Sequence, residues 1–200
     1  MTLSSFKLLC DLYKQVDLDV SKLGFNCEFS DINELNNRFR LARSFEGLKL
    51  SGYSEKTILG YESFFQVFLS HSALERFMKI WGIRYVNLLN PLLEPYHPEM
   101  ISCEVIKNDK ENRLFDFLQR HINKELKENL ALVYESKDHN IFQISASIRH
   151  IFAHGILTAN ANKIYPPRIK MICKKLSDFT LDFIDSEFTK HVMELKEKIH

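Results

Sequence analysis

Along most of this 200-residue chain, apolar side chains recur every three or four positions, the period of an amphipathic helix. Phe6, Leu9, Leu12, Tyr13 and Val16 mark a first segment that ends near Gly24. Asp31 opens a second, with Leu35, Phe39, Ala42, Phe45 and Leu48 inward and Asn36, Arg38, Arg40 and Arg43 largely outward. A third runs from Ser54 to about Leu89, bent or interrupted around Gly82, and its rings (Phe64, Phe65, Phe68, Phe77, Trp81) read as core. Pro91, Pro95 and Pro98 close this half and predict an irregular connection to Asp109, within which Ser102 to Ile106 carry weak strand character.

The second half resumes with a predicted helix from about Lys110 to Glu135, presenting Leu114, Phe117, Leu118, Ile122, Leu126 and Leu130. Another spans about Asn140 to Leu157, with Asp138 or Asn140 as cap and Ile141, Ile144, Ile148, Ile151, Phe152 and Gly155 on one face. The stretch from Thr158 to Asn162 marks its exit. Pro166 and Pro167 suit the first turn of a last helix, which carries Ile169, Ile172, Leu176, Phe179, Phe183 and Ile184. The pattern predicts an all-α fold, an antiparallel helical bundle over residues 51–200 with N-terminal helices over 1–50, forming one compact unit.

Composition removes several classes of function. A formal charge of +1 gives no global sign of nucleic acid or membrane as partner. Four scattered cysteines without a CxxC pair read as reduced thiols, not a disulfide frame or zinc knuckle. Neither a signal-peptide pattern nor an apolar run of membrane-spanning length is present, so a cytoplasmic protein is expected.

Chemistry concentrates in Arg149-His150-Ile151-Phe152-Ala153-His154. Arginine is a permanent cation that grips phosphate, and histidine exchanges protons near neutral pH. Cleavage of a ribose phosphodiester needs such an acid, a base and a stabiliser of charge on phosphorus. On an ideal helix Arg149 and His154 lie about 140° apart, so either the helix distorts near Gly155 or two copies meet. No Lys, Asp or Glu occurs from Asn140 to Asn162, although 26% of the chain is charged. A face bearing Gln143, Ala146, Ser147 and Ala153 beside the histidines therefore reads as covered, most economically by its own copy in a homodimer. His150 and His154 have a metal-ligand spacing, but HExxH would need Glu at 151, where Ile stands, so no metal or other cofactor is expected. From Lys163 to Lys175 five basic residues, including Lys163, Arg168, Lys170 and Lys174, occur without an acidic one, as a phosphate-contacting or simply solvated helix face.

The Arg149-His150-x-x-x-His154 run, late in an all-α chain, resembles the signature of the HEPN superfamily (higher eukaryotes and prokaryotes nucleotide-binding domains). Ser70-His71-Ser72-Ala73-Leu74-Glu75-Arg76-Phe77 is similar to the family's earlier helix, and the likeness covers roughly residues 54–188. The resemblance implies a metal-independent endoribonuclease, dimeric, with Arg149 and His154 in the family's catalytic positions and His150 in its variable polar position. RNA is the implied substrate, since DNA lacks the attacking hydroxyl. Glu75 would orient a histidine or restrain Arg149, or form only a surface ion pair, and His71 is a lesser supporting candidate. A toxin or antiviral effector role, with an antitoxin or regulatory protein as partner, rests on the resemblance alone. Many relatives have lost the motif and act as silent modules binding nucleotide or protein. An unrelated helical interaction protein is the third alternative.

Overall fold

The computed structural model describes residues 1–156, 159 and 163–199. All regular elements among them are helical: α1 (Phe6–Gln15), α2 (Phe29–Arg43), α3 (Glu55–Ile80), α4 (Asn90–Leu93), α5 (Pro98–Asn108), α6 (Arg113–His121), α7 (Lys124–Tyr134), α8 (Phe142–Ala153) and α9 (Pro166–Ile199). The all-α expectation therefore holds. No described helix is long and apolar enough to cross a membrane.

The two longest helices, α3 and α9, form the centre. Phe77 meets Phe183 edge-on at 5.5 Å between centroids, and Ser70 Oγ donates to Ser177 Oγ at 3.2 Å. One contiguous apolar cluster reaches from Leu3 to Leu195, so residues 1–50 share this core. Asn36, expected outward, is buried, because its Oδ1 accepts the Leu3 backbone N–H at 3.1 Å. Asp31 ties α2 to α3, accepting from Arg76 at 2.7 Å and Lys79 at 2.9 Å.

Two sequence expectations need correction. The run predicted as irregular or strand-like after Pro98 is helix α5: proline sits at its start, where no N–H is required, and Ser102 and Val105 turn inward. The single helix predicted from Lys110 to Glu135 is two. Ile122 adopts an extended backbone, and the Asn123 side chain accepts from Leu126 N at 2.9 Å, capping a fresh helix. Asp109, buried beneath this corner, accepts from the N–H groups of Leu114 and Phe115 and from the Tyr134 hydroxyl.

Helix α8 lies against α3 and α7 and is pinned at its start. Asn140 Oδ1 accepts from Phe142 N at 3.1 Å, while its Nδ2 donates to Val86 O at 2.9 Å and Asn90 Oδ1 at 2.6 Å. At the other end Gly155 takes φ +71°, its N–H bonding Phe152 O while Ile156 N bonds Ile151 O. This left-handed cap stops the helix at His154, short of the predicted Leu157. The predicted exit residues Thr158 and 160–162 lie outside the described residues.

Candidate functional site

The last turn of α8 and the middle of α3 bring the predicted residues together. Phe152 packs on Phe65 and Phe68, with centroids 5.6 and 4.8 Å away, fixing the rotation of α8 on α3. Arg149 then faces Glu75 across the helix pair. Its Nε lies 3.0 Å from Oε1 and its Nη2 donates to Oε2 at 3.3 Å, a two-pronged ion pair. Of the partners expected for Glu75, it meets Arg149, in an ion pair whose two side chains are each more than a third exposed.

His150 and His154, one helical turn apart, hold their rings 4.4 Å apart at 52°. His154 is the capping residue and is exposed. Burial, the neighbouring His154 and the Arg149 guanidinium all push the His150 pKa below the usual imidazole value. His71 lies deeper, 3% exposed, with Nδ1 enclosed and without a hydrogen-bond partner among the described residues. Desolvation first, and Arg149 second, lower its pKa to about 3, so it is neutral across the physiological range.

Arg149, His150, Glu75 and His71 line one groove of about 720 Å³. Its other wall comes from Lys79 and the turn after α3, Gly82 to Val86, with Leu126 of α7 closing the side. Arg84 is exposed on that turn and has no carboxylate partner among the described residues. His154 stands outside this lining, next to His150. The groove thus has two histidines and two arginines on its walls and a third histidine at its end. That set offers proton transfer and anion contact.

The face expected to await a second copy is partly covered within the protomer. Gln143 (3% exposed) and Ser147 (0%) are buried, because α7 packs across the first half of α8. Ala146 borders the groove, and only Ala153 and His154 of that set are exposed.

The basic run does not form one patch with this site. Lys170 and Lys174 border a separate recess with Glu46, Glu62 and Gln66. Glu62 and Gln66 project roughly 140–180° around α3 from His71 and Glu75. Lys174 bonds Asp178 at 2.5 Å, and Lys175 pairs with Glu104. Lys163 is exposed and Arg168 half-buried at the start of α9. No group of three or more His, Cys, Asp or Glu among the described residues is placed to hold a metal ion.

Sequence reasoning missed Lys79 and Arg84. Lys79 follows Glu75 by four residues, so it shares that face of α3, a spacing that was available to find it. No protein-family profile, curated protein or solved structure matches the chain.

Proposed function

We propose that this protein is a metal-independent, HEPN-type endoribonuclease of the cytoplasm, acting through Arg149, His150 and His154 as a homodimer. The carrying observation is the histidine pair, 4.4 Å apart, at the same end of α8 as a groove-lining arginine. A histidine removes the proton of a ribose 2′-hydroxyl, and the oxygen attacks the adjacent phosphorus. The P–O5′ bond breaks, and a second histidine protonates the leaving oxygen, giving a 2′,3′-cyclic phosphate and a 5′-hydroxyl. His150, with its lowered pKa, suits the base. Arg149 stabilises the charge that grows on the non-bridging oxygens. Glu75 positions its guanidinium until phosphate arrives.

His154 lies outside the groove that holds Arg149, and this separation supports a site shared between copies. Ala153, exposed and outside the groove lining, is the cleanest probe. Light scattering at micromolar concentration should give a dimer for the wild type and a monomer, inactive on RNA, for Ala153→Arg. A monomeric wild type that cleaves RNA overturns the shared site. One observation favours a silent, nucleotide-binding module instead: Glu75 occupies two nitrogens of Arg149. Tight RNA binding without any cleavage would select that reading. A toxin or antiviral role, with an antitoxin or regulator as partner, rests on the family resemblance and is tested by whether expression halts growth.

A further inference from the structure

The groove does not end at Arg149. Arg84, Val86, Leu126 and Ala146 also border a second recess of about 260 Å³, which runs back along α8 to Gln143 and Asn129. From His150 to Gln143 the helix rises about 10 Å, so the two compartments are neighbours along one path. Gln143 is 3% exposed, and its carboxamide, which makes no hydrogen bond among the described residues, borders this recess. A carboxamide with free donors and acceptors at the wall of a recess is placed to bond a polar edge that enters it.

We propose that this recess is a nucleobase subsite, holding one unpaired base of an RNA strand beside the phosphate held at Arg149. The assignment rests on the ribonuclease reading of the groove. A carboxamide presents a donor and an acceptor side by side, and base edges present the complement. Gln143 and Asn129 meet that edge, Val86 and Leu126 lie against the ring, and Arg84 takes a flanking phosphate. A paired A-form helix is excluded from this role, because its base edges are already bonded and its major groove is too narrow for side chains to read. A peptide would also offer donors and acceptors, but Arg84, exposed and in no ion pair among the described residues although Glu125 also borders the recess, favours a phosphate-bearing ligand.

The test is fluorescence anisotropy with a labelled single-stranded RNA 9-mer in EDTA, using His154→Ala protein so that the strand stays intact. Adding Gln143→Leu should weaken binding about tenfold, with Asn129→Ala in the same direction. Arg84→Ala should lower the salt slope by about 0.7. A blunt RNA duplex of equal length should compete far less well than the single strand. Should Gln143→Leu fail to fold by circular dichroism, Asn129→Ala reads the same recess from its more exposed wall. Equal binding by Gln143→Leu and Asn129→Ala, or equal competition by duplex, overturns the subsite. Wild-type cleavage with a KM indifferent to Asn129→Ala also overturns it while leaving the nuclease intact. Gln143-dependent binding without wild-type cleavage retains the subsite and removes the nuclease.

Discussion

Two recesses flank α3, and both contain cations. They differ in what those cations already hold. In the recess of Lys170 and Lys174, Lys174 bonds Asp178, and Glu46 and Glu62 stand alongside. In the groove of Arg149, Glu75 balances one arginine, while Arg84 has no ion pair among the described residues and two histidines with lowered pKa values border the same space. The run from Lys163 to Lys175 is the more basic in sequence, yet in space Lys174 and Lys175 already pair with Asp178 and Glu104. Unbalanced charge beside desolvated proton carriers marks a reactive site better than a count of lysines does.

The largest expected difference between the two regions is in turnover. Arg149→Ala and His154→Ala should each lower RNA cleavage by about 10²–10³-fold with helix content unchanged, because neither side chain belongs to the core. Near-normal turnover in either variant, measured with a labelled oligonucleotide, removes that residue from the reaction. His150→Ala should be milder, and an equal loss there makes His150 a primary acid or base.

Next in size is acid sensitivity. In the unfolded chain the His71 ring takes a proton near pH 6.5, while in the fold it resists until about pH 3. The unfolded state therefore binds more protons between those values, and stability falls as pH drops through them. By pH 5 the loss is on the order of 2 kcal/mol. Urea denaturation at pH 7 and pH 5 should show that loss in the wild type and a smaller one in His71→Leu. Equal losses would mean that other groups govern acid unfolding.

The smallest effect belongs to the recess of Lys170 and Lys174. Lys170→Ala with Lys174→Ala should raise KM for RNA by no more than about threefold, and less in 0.3 M salt, since an exposed pair already engages Lys174. A tenfold or greater rise would restore the basic helix face as part of the RNA path.

How much of this was legible before the fold was seen follows from the range of each interaction. Helical period and the Arg149–His154 cluster are local, so the bundle and the catalytic candidates could be read directly. The break between α6 and α7 was hidden because Ile122 and Leu126 keep the apolar spacing across it, while the stop lies in the capping bond of Asn123. Helix α5 was missed because its proline was read as a breaker when it is the first residue of the helix. Burial of Gln143 and Ser147 depends on α7 crossing α8, and no periodicity within α8 records that. The groove wall from Gly82 to Val86 is set in place by Asn140, more than fifty residues away.

The central claim is that Arg149 and the histidines cleave RNA by themselves, and one measurement addresses it most directly. Purified wild-type protein and Arg149→Ala are incubated with single-stranded RNA in excess EDTA, and the new ends are identified by mass spectrometry. The account predicts wild-type cleavage leaving 2′,3′-cyclic phosphate and 5′-hydroxyl ends, with Arg149→Ala inactive. Cleavage that appears only when a divalent ion is restored, or that leaves 5′-phosphate ends, would contradict it.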